Sequence, residues 1–371
     1  MPYAAGRVFH DADSHVMEPA DWLVPFADEP FKERLMRRDA PAASNRPTPE
    51  KVLEGLIAGP KGRYAYGAND PAERVRAIEE LGFSSQLVFP TSGLRPFRTS
   101  SDPAVLYAGT RAANRAMGAF CADTRLLGVA YVPLNNPEQA VIEAKEAIAL
   151  GCRAIWVPST PAGDKSPGHP ALDAFWAVLA ESKTPFVLHI GAGSRTLPQE
   201  YTNFGKPRAP DLHGGGENLR FKDYVVLPHS AEMFLGALVY DGLFDRMPDL
   251  RGGVIEYGAY WVPGFLRQMD MGARSFGRTD PYLQALSAKP SEIIRRQVKF
   301  TPFPGEDAGY LIRDSGAELY MFSSDYPHPE GTNDPIGRFE RTFTDLGETE
   351  RRQFYETNFE TMMSGRVPAM A

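Results

Sequence analysis

The chain predicts a single α/β domain, a (β/α)8 TIM barrel over residues 1–371 with helical insertions after the first and fifth strands. Three observations carry that expectation. Short apolar runs alternate with helical patterns along the chain, which is how parallel βα units look in sequence. Eight such pairs can be counted, the number at which a parallel sheet closes on itself. No glycine-rich phosphate loop follows the first strand, so an open doubly wound sheet fits less well.

The predicted strands cover 8–13, 86–90, 126–133, 152–158, 185–190, 253–257, 298–301 and 319–325. Helical patterns run over 71–81, 103–123, 137–150, 170–182, 231–247, 261–269, 306–314 and 348–363. Pro71, Pro103, Pro137 and Pro170 open four of these, where the fixed φ and missing N–H of proline suit a first turn. Gly82, Gly151 and Gly316 follow helical runs, as left-handed C-terminal caps do. Two stretches break the rhythm, about 26–69 and 191–228, the second holding His213-Gly214-Gly215-Gly216 and several prolines. Each follows a strand, which puts both at the C-terminal end of the barrel. There they fit lids over its mouth or contacts within a homo-oligomer, most simply a dimer.

Composition narrows the function. The 40 basic and 47 acidic residues leave a net charge of -7 without long like-charge blocks, which argues against a nucleic-acid partner. No basic-then-apolar leader is recognisable, and no apolar run approaches the ~18 residues of a membrane span. A cytoplasmic protein with no membrane partner is therefore expected. Cys121, in a predicted helix, and Cys152, in a predicted strand, read as packed, reduced thiols.

Chemistry concentrates at strand ends. Asp13 and His15 stand two residues apart, so in a strand they share a face at a spacing of ~7 Å, and carboxylate and neutral imidazole are ordinary ligands for a divalent ion. A capped turn with a solvated histidine fits the same triplet. His189 ends the apolar run from Pro185, and Asp325 ends the run from Leu319, so three strand ends carry ligand-type residues.

With Asp13-Ser14-His15-Val16-Met17-Glu18-Pro19, His189 and Ser324-Asp325-Tyr326-Pro327-His328-Pro329 in order, the chain resembles the amidohydrolase superfamily. It is most similar to the amidohydrolase-related branch that includes aminocarboxymuconate semialdehyde decarboxylase and non-oxidative aromatic-acid decarboxylases. Leu243-Phe244-Asp245-Arg246-Met247-Pro248-Asp249-Leu250 and Glu256-Tyr257-Gly258-Ala259-Tyr260-Trp261 extend the resemblance over nearly the whole chain. The resemblance implies a divalent metal, zinc first with manganese or magnesium as alternatives, held by Asp13, His15, His189 and Asp325. Two positions depart from the pattern. Asp13 replaces the first histidine of a His-x-His pair, and Glu256 stands where the decarboxylases place a strand-six histidine.

On this reading Asp325 is the proton shuttle, accepting a proton from water and returning it to a leaving group. A helix N-cap is the plain alternative for it. His328, held between prolines, is a candidate donor to a substrate oxygen, and His229 a candidate stand-in for the absent strand-six imidazole. Glu256 needs a metal, an arginine or a proton beside it if buried. Arg95 is a candidate clamp for a substrate carboxylate, and Trp156, Tyr257 and Trp261 candidate walls of an apolar pocket. The leading expectation is a metal-dependent hydrolase acting on a small, cyclic or carboxylated substrate. A non-oxidative decarboxylase is the alternative, and a metal-free binding barrel the third reading.

Overall fold

A computed structural model describes residues 2–36, 56–193, 197–207 and 221–368. Seven parallel strands form one sheet in chain order: β1 (His10–Val16), β2 (Ser85–Pro90), β3 (Leu126–Tyr131), β4 (Ala154–Trp156), β5 (Phe186–His189), β6 (Gly252–Ile255) and β7 (Val298–Phe300). Parallel neighbours need crossover connections, and helices supply them. Those described are α1 (Lys32–Leu35), α2 (Pro71–Leu81), α3 (Pro103–Phe120), α4 (Pro137–Ala149), α5 (Asp173–Glu181), α6 (Phe221–Val226), α7 (His229–Tyr240) and α8 (Leu243–Arg246). After β6 come α9 (Val262–Phe276), α10 (Pro281–Gln284) and α11 (Pro290–Gln297), and after β7 α12 (Ala308–Ser315), α13 (Pro335–Glu340), α14 (Glu348–Arg352) and α15 (Asn358–Met362). The architecture is an α/β, TIM-barrel-like fold.

Local chemistry starts the helices where proline predicts. Asp70, Asp102 and Asn136 accept hydrogen bonds from the first-turn N–H groups of Glu73, Ala104 and Gln139, each with proline next in the chain. The predicted helix over 231–247 is two helices. Gly242, at φ 69°, donates its N–H to Val239 O and ends the first before α8 begins. The stretch 270–297, left without an element by the sequence, holds α10 and α11. The same signal marks both, since Pro281 follows the capping Asp280 and Pro290 opens the next helix. Cys121 lies just past the end of α3 and Cys152 just before β4, both as free thiols.

Alternation of side chains along each strand divides the core in two. Leu87 and Phe89, Leu127, Val129 and Tyr131, Ala154 and Trp156, Val187 and Ile255 face one another inside the sheet, with Phe359 and Met362 of α15 among them. Val88, Ile155, Phe186, Leu188 and Val254 face the helices instead. The interior is a packed core, and polar residues are confined to its ends.

The predicted eighth strand is the main correction. Segment 319–326 lies between β7 and β1, yet it pairs only through single bridges, Phe300 with Tyr320 and Ser14 with Tyr326. Met321 N–H donates to Phe300 O (2.9 Å), Ala12 N–H to Phe322 O (3.0 Å) and His15 N–H to Tyr326 O (2.7 Å). The cause of the irregularity is Asp11. Its carboxylate accepts from Ser324 N–H (2.8 Å) and Ser324 Oγ (2.6 Å), and β1 shifts register between Asp11 and Ser14. A side chain thus takes the N–H that a regular ladder would give to a carbonyl.

Parts of both insertions are described. The first holds α1 and short 3-10 turns at Val24–Phe26, Glu29–Phe31 and Gly62–Tyr64; the second holds a turn at Gln199–Thr202 and α6. Residues 37–55, 194–196 and 208–220, which include the His213 glycine run, lie outside the described residues. Among the described residues no helix is long and apolar enough to cross a membrane.

Candidate metal centre

Ligand-type side chains from four segments converge at the C-terminal ends of the strands. His15 Nε2 lies 3.2 Å from Asp13 Oδ1, and His189 Nε2 lies 3.4 Å from the same oxygen and 3.1 Å from Glu256 Oε2. Asp13, His15, His189 and Glu256 each offer one ligand atom, all within 4.8 Å of one another. His15, Asp325 and His328 form an overlapping second group: Asp325 Oδ1 is 3.5 Å from His15 Nε2 and 2.9 Å from His328 Nδ1. All six side chains are buried.

Backbone geometry explains the convergence. Asp13 and His15 sit inside β1, which runs to Val16 rather than ending at residue 13, and His189 closes β5. Glu256 and Asp325 lie just past their strand positions at φ 61° and 53°. That left-handed conformation costs about 1–3 kcal/mol for residues of this kind and concentrates at functional sites. Thr301 Oγ1 accepts from Glu256 N–H (3.1 Å), and Asp13 O from Asp325 N–H (2.9 Å), which holds both turns.

The imidazoles are oriented from behind. Ile190 O lies 2.9 Å from His189 Nδ1, so the proton sits on that nitrogen and Nε2 presents its lone pair to the cluster. Thr91 Oγ1 bridges His15 Nδ1 (3.2 Å) and His328 Nε2 (3.1 Å), and the two rings stack at 4.0 Å. Burial holds His15 well below the usual imidazole range, reinforced by the charges of His328, His189 and Arg74. Burial pushes the Asp325 carboxyl up, opposed by His328.

The donor set fits a cation. Asp13 Oδ1, His15 Nε2 and Asp325 Oδ1 are buried without a hydrogen-bond partner among the described residues, although they face one another at ion-pair distances. Burying carboxylates in that state is expensive unless a positive charge joins them. Two imidazole nitrogens and two carboxylate oxygens form an ordinary site for a first-row divalent ion, with ligand bonds of about 2 Å.

Glu256, expected as a catalytic group, stands with Asp13, His15 and His189, and Asp325, expected both as a ligand and as the proton shuttle, stands with His15 and His328. Trp156 packs edge-on against His189 at 5.1 Å, its Nε1 buried without a hydrogen-bond partner among the described residues, and Tyr257 hydroxyl donates to His189 O (3.3 Å). Three predicted residues are not brought to the cluster. His229 is exposed at the first position of α7, because Ser230, Ala231 and Phe234 turn inward in its place. Arg95 is exposed on the loop after β2. Trp261 donates to Gly258 O and packs on Phe265 and Phe300, among side chains that face the helices.

Three further side chains support the surroundings of the cluster, and of these Glu18 lies in a motif that the sequence singles out. Glu18 accepts from Thr91 N–H (2.9 Å), Ser92 N–H (2.9 Å) and Ser92 Oγ (3.1 Å), tying the loop after β2 to the end of β1. Glu306 accepts from Ala259, Tyr260 and Phe303 N–H and does the same after β6. Lys61 Nζ lies 5.6 Å over the Tyr326 ring, and burial lowers it to about 8 against the opposing pull of Asp325.

Comparison with known proteins identifies the family and the fold. The family model described as amidohydrolase matches residues 11–360. Among solved structures, an amidohydrolase from Mycobacterium avium subsp. paratuberculosis K-10 is similar at a TM-score of 0.76 and 21% identity, over 97% of this chain and 100% of that one. The 5-carboxyvanillate decarboxylase of Sphingomonas paucimobilis gives 0.62 and 19%, over 96% and 99% of the two chains. A dihydroxybenzoic acid decarboxylase from Polaromonas sp. JS666, with bound manganese and the inhibitor 2-nitroresorcinol, gives 0.62 and 17%, over 97% of each. Comparison with curated proteins gives no match. With the family model covering all but the ends of the chain, the protein belongs to the amidohydrolase family, a family of enzymes.

Proposed function

We propose that the protein is a single-domain, metal-dependent hydrolase that cleaves an ester, lactone or amide bond in a small organic molecule. One observation carries the reading: the Asp325 carboxylate is held 2.9 Å from His328 and 3.5 Å from His15, at the edge of the four-residue ligand group and outside it. Asp13, His15, His189 and Glu256 would hold the ion, zinc or manganese suiting their nitrogen and oxygen donors. When bound, such an ion supplies Lewis acidity and acidifies water.

The remaining work falls to the chain. Asp325 accepts the proton of the attacking water and returns it to the leaving group. His328 orients that carboxylate, and Thr91 couples His328 to His15. The Lys61 ammonium offsets part of the negative charge around Asp325. The two insertions, after β1 and β5, act as lids over this mouth and as the contact of a homodimer in the cytoplasm.

Charge favours hydrolysis over decarboxylation. Asp13, Glu256 and Asp325 already bring three carboxylates to one divalent ion and the Lys61 ammonium does no more than balance them, so a substrate carboxylate drawn directly onto the cluster gains no net charge attraction. The second reading, non-oxidative decarboxylation, draws on the manganese-bound dihydroxybenzoic acid decarboxylase of similar fold. Manganese-loaded protein assayed against carboxylated esters and lactones, and in parallel against 2,6-dihydroxybenzoate with carbon dioxide as readout, separates them. Ester or lactone turnover without carbon dioxide release is expected; the reverse pattern transfers the site to the carboxy-lyases. Stoichiometric metal that is lost in His189→Ala is expected too, and a wild-type protein that takes up none belongs to the third reading, a binding barrel.

A further inference from the structure

A cavity of about 350 Å³ opens over the C-terminal ends of β2 to β5, apart from the ligand cluster. That volume is within the range of about 300–1,000 Å³ typical of small-molecule sites. Its walls mix apolar groups, Leu106, Leu134 and Pro161 among them, with polar ones from Arg98, Thr99, Ser100, Tyr131, Asn135 and Thr160. Nothing described so far uses it.

Two of those polar groups wait for a partner. Arg98 forms no ion pair with any described residue, whereas Arg111, Arg115 and Arg125 nearby pair with Glu143, Asp28 and Asp123. The Tyr131 hydroxyl likewise has no hydrogen-bond partner among the described residues. Burial pushes that phenol up to about 12 even with the Arg98 charge opposing, so it remains a donor at neutral pH. A guanidinium and a phenol donor that line one cavity match an organic carboxylate, which takes charge-assisted bonds from both.

The cavity is also placed to serve the cluster. The Tyr131 ring packs edge-on to Trp156 at 6.0 Å, and Trp156 packs against His189 at 5.1 Å, so one aromatic side chain separates the two. A cation set at that remove complements a cluster already rich in carboxylates.

We propose that this cavity is a carboxylate subsite, in which Arg98 and the Tyr131 hydroxyl hold an acid group of the substrate while the bond to be cleaved lies at the cluster. The proposal rests on the cluster being the reactive centre. It also narrows the substrate class to small acids whose carboxylate and scissile bond lie at opposite ends of a compact body.

Calorimetric titration of the full chain with 4-bromobenzoate tests the subsite, in wild type and in Asp13→Asn, which alters the cluster and leaves the cavity. Both are expected to bind with the same affinity, Arg98→Met to weaken binding about tenfold, Tyr131→Phe to weaken it less, and Arg98→Lys to recover part of the loss. In soaked crystals the anomalous bromine peak is expected inside the cavity, with the carboxylate against Arg98. Absence of binding in wild type, affinity unchanged by Arg98→Met, or binding that disappears in Asp13→Asn overturns the subsite. Arg98-dependent binding in a protein that takes up no metal and turns nothing over leaves the subsite standing and removes the hydrolase reading.

Discussion

The two halves of β1 bury polar groups in opposite ways. In the first half, Asp11 accepts hydrogen bonds from Ser324 N–H, Ser324 Oγ and Gln86 Nε2, and His10 Nδ1 bonds Ser85 Oγ while its ring stacks on Phe359. In the second half, Asp13 and His15 present buried atoms to other ligand-type atoms with no hydrogen bond formed. The first arrangement is complete as it stands and joins strand to strand. The second is incomplete and pays in stability for a capacity to bind.

That contrast is open to four tests, the largest effect first. Asp325→Asn in metal-replete protein should lower turnover by about 10²–10⁴-fold, as for loss of a general acid–base group, with metal content and melting temperature retained. Unchanged turnover removes Asp325 from the proposed proton transfer. Asp11→Ala should instead cost about 3 kcal/mol of stability in urea unfolding, because it leaves buried donors of Ser324 and Gln86 unpaired. Asp13→Ala, measured the same way without metal, should cost much less, since Asp13 Oδ1 has no hydrogen bond to lose. Equal losses in the two variants would erase the distinction between the halves.

The third test is pH. Burial holds His10 down at about 4, with Glu356 opposing, so the neutral ring is favoured by folding. Its contribution is complete above the unfolded value near 6.5 and is lost as pH falls toward 4, amounting to as much as ~3 kcal/mol. Relative to His10→Gln, wild type should lose stability across that interval in calorimetric unfolding; parallel profiles would show that His10 is not buried neutral. The smallest effect belongs to Thr91→Val, which removes the hydroxyl behind His15 and His328. Metal affinity should fall about 10–100-fold, as for loss of an outer hydrogen bond to a ligand, with the fold intact by circular dichroism.

Sequence carried the strand-end ligands well because strand alternation is a simple period. Two residues apart on β1 means one face, so Asp13 and His15 were legible, and His189 followed from the apolar run that it ends. Residues reached through irregular backbone were harder to place. Glu256 and Asp325 depend on left-handed φ values that no period encodes, and the structure sets Glu256 with Asp13, His15 and His189 and Asp325 with His15 and His328. In the loop after β2, Arg98 N–H bonds Leu94 O, and this helical turn brings Arg98 to the cavity while Arg95 faces solvent. His229 lies away from the cluster for a similar reason, since an exposed first position in a helix is set by which of its successors are apolar. The eighth strand had the composition of a strand, yet Asp11 intercepts its ladder, and that interaction spans 313 residues.

That span has a consequence in time. Asp13 and His15 leave the ribosome long before Asp325 and His328, and Asp325 N–H must then find Asp13 O across the seam. Contacts so far apart in sequence carry the greatest closure entropy and form late. Until then the early residues form only part of the constellation. Under the proposed function, reactivity is withheld from the growing chain until the later segment has joined the earlier one.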